Sequence, residues 1–350
     1  MASASNVLVG IAGYVGRPDA SGAVGVFCRP GNGAWQHVLS EAQCFTVDVH
    51  PTNPDVIFAG TSNGVYRSTD RGASFKRTNF PDMGKQVWSF LVADENPNLV
   101  YAGASPLDVY RSEDMGTSWR KLPNPGIREH CTGPFAPRVM RMAQRPGKPG
   151  DIIAALEISG AMHTTNGGES WEDMSDDLIR LSAQPGLGSK IVQQETAAEG
   201  MLDGHAIATS AADPDAAIIA VRMGLFRTAN GGKTWENMQI NKFSPTTYSR
   251  DIRVSRSDPK TIYAALSVAA ASHDGGVYRS QDAGRTWSRF DKVQVHGTIM
   301  SVGLHNTDPN QVYIGARYKG EIFGTTDGGA SWQEISIPVE VKDVYSVACS

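Results

Sequence analysis

Hydrophobic and polar positions alternate in short runs along the whole chain, and 45-FTVDVHPTNPDVIFAGTSNGVYRSTDRGASFKRT-78 shows the unit most clearly. Phe45, Val47 and Val49 alternate with polar residues, a proline-containing turn follows, then come 55-DVIFAG-60, 64-GVYRS-68 and a short outer segment. Period-two alternation bounded by Gly, Pro, Asn and Asp reads as β-strands, so the unit is four strands, A to D. The same order recurs from Trp88, Val139, His205, Arg250 and Thr298. At the start, 6-NVLVGIAG-13 has the strand B pattern with no strand A before it; at the end, 343-DVYSVACS-350 has the strand A pattern with nothing after it. The two segments are expected to pair and close a ring, which removes the exposed edges of an open array.

A second signal sits between strands C and D. The boxes 68-STDRGASF-75, 112-SEDMGTSW-119, 164-TTNGGESW-171, 228-TANGGKTW-235, 280-SQDAGRTW-287 and 325-TTDGGASW-332 repeat one pattern, and 29-RPGNGAW-35 is a shorter copy without the leading Ser/Thr. Their closing aromatics, from Trp35 to Trp332, are 40, 44, 52, 64, 52 and 45 residues apart, a spacing that suits one four-stranded blade per repeat. The expected fold is therefore all-β: a single seven-bladed β-propeller domain over 1–350, its antiparallel four-stranded blades closed by the C-terminal strand. Within a box, Asp282 is expected to accept hydrogen bonds from backbone groups two residues on, Gly284 to supply the positive φ of a tight turn, and Trp287 to fill the seam between blades. On this reading the boxes are folding punctuation and carry no chemistry.

The boxes resemble the Asp-box, or BNR, repeat of sialidases, xyloglucan hydrolases, sortilin-type receptors and the photosystem II assembly factors, and the resemblance covers nearly the whole chain. It implies a propeller whose boxes lie away from the ligand face, but the family is functionally mixed and a shared fold does not name an activity. Sialidases carry an Arg-Ile-Pro start, an arginine triad and a Tyr/Glu pair, usually on six blades; this chain has no Arg-Ile-Pro and seven boxes, although Tyr248 with Glu195 can imitate the pair. Xyloglucan hydrolases are secreted tandem propellers with paired Asp, and the assembly factors work in a thylakoid lumen. Both imply export.

Composition narrows the partners. Thirty-seven Gly and 19 Pro in 350 residues fit many short strands joined by tight turns. A formal charge of -4 leaves no basic patch for nucleic acid. The run 7-VLVGIAG-13 has no basic flank and is too short for a signal peptide or a membrane span, so a cytoplasmic protein is expected. Cys28, Cys44, Cys131 and Cys349 show no metal-type spacing.

Function is sought where the repeat is broken. The D-to-A connections hold the insertions 120–137 and 172–204, and these share one face with the B-to-C loops, opposite the boxes. His130, His205 and His296 each stand where such a connection enters an inner strand. Gathered together they would offer a general base or a site for Zn²⁺, Mn²⁺ or Fe²⁺; apart, they are ordinary polar loop ends. His50, His305, His37 and His163 read as structural, and His273 as peripheral. Registering the inner strands aligns Thr46 with Ser89, Arg141, Ala206, Asp251, Ser301 and Ser346, and Asp48 with Leu91, Ala143, Ala208, Arg253, Gly303 and Ala348. Four charges thus face a narrow channel. Either Arg141 neutralises Asp251 and Arg253 neutralises Asp48, or Arg141, with Arg138 and Arg250 at the rim, clamps an anion.

The reading favoured is a hydrolase or lyase acting on a small anionic or carbonyl-bearing substrate, with a His acid/base, an Arg clamp and either no metal or a divalent one. The alternative is a non-catalytic scaffold presenting an apolar patch for a protein partner, with Phe135, Ile179, Leu181 and Met201 as its candidates. Glycoside hydrolysis is a third.

Overall fold

Each of the seven units forms one four-stranded antiparallel sheet in the computed structural model, which describes residues 5–13, 22–131, 135–190 and 197–350. In blade 2, Cys44–Val49, Ile57–Thr61, Gly64–Ser68 and Lys76–Arg77 are strands A to D, running from axis to rim. The inner strand of each blade packs on the inner strand of the next, all the way round. The protein is a seven-bladed β-propeller. Closure is as expected: Val344–Cys349 pairs antiparallel with Val7–Ile11 and becomes strand A of blade 1.

The strand register derived from the sequence holds. Thr46 pairs with Gly60, Ser89 with Gly103, Arg141 with Ala155, Ala206 with Ala220, Asp251 with Ala265, Ser301 with Gly315, and Ser346 with Gly10. Every partner is Gly or Ala because adjacent blades converge here. A Cβ on Gly60, for example, would lie 2.7 Å from the Val87 carbonyl oxygen.

The boxes are turns with one correction. Asp282 Oδ1 accepts from the N–H groups of Arg285 and Thr286, three and four residues on, at 3.0 and 2.9 Å. The two-residue contact belongs to the leading Ser, whose Oγ accepts from the Asp282 N–H and also from the Gly284 N–H. Gly284 has the expected positive φ, 88°, and Trp287 fills the seam against Ile218 and Ile240 of the preceding blade.

The 172–204 insertion holds two short helices that strand patterning did not anticipate, α1 (Asp176–Ser182) and α2 (Glu199–Leu202). Leu178 and Leu181 on α1 pack inward with Met201 and Leu202 on α2. The apolar patch expected of a scaffold is therefore not on the surface: Leu181 and Met201 are buried, and Ile179 and Phe135 are half-buried. The helices bury these side chains against their own blade. Among the described residues no helix is long and apolar enough to cross a membrane.

Candidate functional site

The inner strands carry a feature that repetition alone made visible. Each is interrupted by a one-residue bulge at the same place, and the extra residues are Phe45, Trp88, Met140, His205, Arg250, Met300 and Tyr345. A bulge re-aims a side chain out of the ladder's alternation, and here it recurs in all seven blades, at the end of the channel where the D-to-A connections enter. Five members are apolar and pack as one cluster with Ala12. Phe45 stacks on Trp88 at 4.0 Å between ring centroids, and Tyr345 meets both edge-on. This plug gathers the bulge residues of five of the seven blades. The remaining two members, His205 and Arg250, stand on adjacent blades and form a polar sector.

That sector is an ion network. Glu157, at the end of strand B in blade 4, receives Arg138 Nη1 at 2.5 Å and Arg250 Nη1 at 2.8 Å. Asp203, just after α2, receives Arg222 Nη2 at 3.0 Å. His205 Nδ1 lies 2.7 Å from the Ser249 carbonyl oxygen, which only accepts, so Nδ1 carries a proton. Its Nε2 is 3.1 Å from Asp203 Oδ2 and 4.0 Å from Glu157 Oε1, yet it is buried without a hydrogen bond of acceptable angle. Burial opposes ionisation of Glu157, but Arg138 and Arg250 outweigh it and hold the carboxyl well below its ordinary range. Asp203 is held down in the same way, chiefly by His205 and Arg222 against burial. Tyr248 flanks the imidazole at 5.1 Å, and Arg138 covers the Trp88 ring at 4.2 Å, joining the polar sector to the plug.

Three guanidiniums thus surround two carboxylates in a buried site, and the excess charge is positive. Glu157, Asp203 and His205 are the one group of potential metal ligands within 4.8 Å of one another among the described residues. Both oxygens of Glu157 and Oδ2 of Asp203 already accept from guanidiniums. A dication would sit against Arg138, Arg250 and Arg222, so the set suits an anion and does not suit a metal.

The other candidates fall elsewhere. His130 Nε2 is 2.7 Å from Asp173 on the outer strand of blade 4, and the largely exposed His296 side chain bonds Glu321 in blade 7. The structure therefore brings His205 together with Arg138 and Arg250, and gives His130 and His296 separate partners. Glu195 lies outside the described residues. Arg141, Asp251, Arg253 and Asp48 lie past the plug, toward the box face. There Arg141 Nη2 meets Asp251 Oδ1 at 3.1 Å, Arg253 Nε meets Asp251 Oδ2 at 3.0 Å, and Arg253 Nη1 stands 3.8 Å from Asp48. Of the mutual neutralisation that the sequence offered as one alternative, Arg141 meets Asp251, whereas Arg253 bonds Asp251 as well and only approaches Asp48.

Sequence reasoning missed Glu157, Asp203 and Arg222. A signal existed for the first: Glu157 stands two residues after Ala155, where the equivalent positions of blades 2, 3 and 6 hold Ser62, Ser105 and Ser267. Arg222 stands at the same repeat position in blade 5, two residues after Ala220 as Glu157 is after Ala155, whereas Asp203 lies at an insertion end, where no repeat position exists to compare.

Comparisons with known proteins agree on the fold and divide on function. Residues 275–349 match the Sortilin-Vps10 family (sortilin, neurotensin receptor 3). A Paenibacillus xyloglucanase is 24% identical over 277 residues, 69% of this chain, and the chain spans only 26% of that enzyme's length. The GH74 xyloglucanase of Xanthomonas campestris superposes with a TM-score of 0.62 at 14% identity, over 84% of this chain and 45% of that one. YCF48 bound to a D1 peptide superposes with a TM-score of 0.52 at 15% identity, over 85% and 83%.

Proposed function

Starting from a chain that is a β-propeller of the Asp-box (BNR) type, we propose that the polar sector of its plugged mouth binds a small anionic, carboxylate- or carbonyl-bearing molecule and works on it by acid–base chemistry. The observation that carries this reading is the buried excess of guanidinium over carboxylate around an imidazole whose Nε2 faces Asp203 at 3.1 Å. Arg138, Arg250 and Arg222 supply the charge, and guanidiniums take carboxylates in bidentate fashion. His205 is the proton carrier. Ser249 fixes its tautomer through Nδ1, which directs exchange to Nε2, and the ionised Asp203 beside Nε2 stabilises the imidazolium that forms. His205 is fully buried, so a substrate anion has to enter the network and take over donors now given to Glu157. The negative charge it brings offsets the excess of guanidinium over carboxylate.

Glycoside hydrolysis, suggested by the xyloglucanase likenesses, needs one carboxyl held protonated as general acid. Glu157 and Asp203 are both driven the other way by their guanidiniums. A protein-binding reading has one observation in its favour: a groove of about 550 Å³ between blades 3 and 4, lined by Pro106, Leu107, Ile127, Phe135 and Pro137. The test is turnover of a panel of small 2-oxo acids, hydroxy acids and carboxylic esters by the wild type and by His205→Gln. Loss of roughly 10²- to 10⁴-fold in rate with an unchanged melting temperature is expected. Full activity in His205→Gln, or no turnover of any panel member, removes the acid–base role.

A further inference from the structure

Past the plug, at the box-face end, the channel opens into a cavity of about 370 Å³. Its wall is made by the last residues of inner strands and the A-to-B turns that follow, among them Asp48, Asp94, Gln144, Thr209, Arg253 and Arg256, with Arg141 at its inner end. A smaller pocket of about 170 Å³ shares Asp48, Arg253 and Arg256 and extends the space toward blades 7 and 1. We propose that this chamber is a second ligand site, separate from the mouth, and that it binds a compact dianion such as a dicarboxylate or phosphate through Arg141, Arg253 and Arg256.

The chamber holds guanidinium donors that no acceptor among the described residues meets. Asp251 is wholly buried, and its oxygens are used up: Oδ1 accepts from Arg141, and Oδ2 from Arg253 and from the Val302 N–H. Asp48 Oδ2 accepts from Thr46, and its Oδ1 is 3.8 Å from Arg253, beyond hydrogen-bonding reach. Each guanidinium offers five N–H donors, yet Arg141 and Arg253 each make one hydrogen bond within the described residues. Arg141 Nε is buried with none. Asp251 therefore acts as a post that holds two guanidiniums side by side, with most of their donors left for a third party.

Filling the channel did not require charge. At the other end five apolar bulge residues pack across the same channel, and burying ions instead carries a desolvation cost that apolar side chains do not. The volume lies within the range of small-molecule sites. The two networks are electrically distinct as well: Arg253, Asp251 and Asp48 are the charges that act on Arg141, whereas Arg138, Arg250, Asp203 and His205 act on Glu157. Arg256, exposed on the turn after the blade 6 inner strand, lines the same chamber, and the carboxylates whose charge acts on it are Asp94 and Asp48.

The experiment is titration calorimetry with succinate and, separately, with inorganic phosphate, on the wild type, Arg256→Ala, Arg141→Gln and His205→Gln. Arg256→Ala alters an exposed side chain and leaves the fold intact, so it decides the matter even if Arg141→Gln is destabilised. Saturable binding of either probe, weakened about tenfold or more by Arg256→Ala and untouched by His205→Gln, is the result expected. The phosphate and succinate arms distinguish which dianion the geometry prefers. No saturable heat up to roughly 10 mM, a limit at which binding free energy falls below about 3 kcal/mol, would overturn the site. So would binding that Arg256→Ala leaves unchanged, or that His205→Gln abolishes; the last outcome would move the anion to the mouth and leave the acid–base reading standing.

Discussion

Asp282 illustrates what one box residue does. Burial works against its ionisation, but hydrogen bonds from the Thr286 hydroxyl, the Thr286 and Arg285 N–H groups and Ser280 prevail and hold its carboxyl at about 2. A carboxyl depressed in the folded state stabilises the fold above its unfolded pKa of about 4 and loses that contribution as the pH falls toward 2. Asp282→Ala should cost on the order of 1 kcal/mol at neutral pH, measured by urea denaturation, and the difference from wild type should shrink in acid. Anion binding should be unaltered in the folded fraction, because the box lies at the rim of its blade. The sequence made this residue legible since the same box recurs and any one copy can be checked against the others. His205 was legible as a position, an inner-strand entrance, but not as a partner of Asp203, because no periodicity connects an insertion end to a strand start. His130 and His296 entered on the same positional argument and found different carboxylates, which shows the limit of position without contact.

At the scale of elements, the strands announced themselves through alternation and the helices did not. Helix α1 has a single inward pair, Leu178 and Leu181, over seven residues, too short a stretch for a helical period to stand out from an insertion. The bulges were equally hidden: an added residue leaves Phe45-Thr46 or His205-Ala206 looking like part of an ordinary strand, and only the pairing register exposes it. The closing strand was the clearest inference of all, since one unit lacked strand A and one strand A lacked a unit. Its contribution follows from that geometry. Val344–Cys349 supplies the only inner strand of blade 1 among the described residues and packs against the inner strands of blades 2 and 7. Deleting residues 343–350 should open two sheet edges and produce a large fall in melting temperature or aggregation, seen by scanning calorimetry and size-exclusion chromatography. A truncated protein that stays monomeric and melts with the wild type would contradict the closure argument.

The whole molecule is a channel stoppered near one end, and the stopper sorts its charges into two groups. Toward the D-to-A face, Arg138, Arg250 and Arg222 gather round Glu157, Asp203 and His205; toward the box face, Arg141 and Arg253 share Asp251. The sequence placed Arg138, Arg141, Arg250, Asp251 and Arg253 on inner strands or their approaches and treated them as one mouth. It had no means of seeing that Arg250 is itself a bulge residue, so that it and its neighbour Asp251 end in different networks. The likenesses to xyloglucanases and to YCF48 fix the propeller and leave the chemistry to these side chains. The account stands on His205 exchanging a proton with an anion held by its neighbouring guanidiniums. The most direct measurement is NMR of the protein with ¹⁵N-labelled histidine, its His205 signals assigned with His205→Gln, titrated with pyruvate, malate and citrate. The account predicts that at least one of these anions moves the His205 Nε2 resonance in a saturable way while the Asp173-bound His130 and the Glu321-bound His296 stay in place. A His205 signal indifferent to all three, in a protein that remains folded, would contradict it.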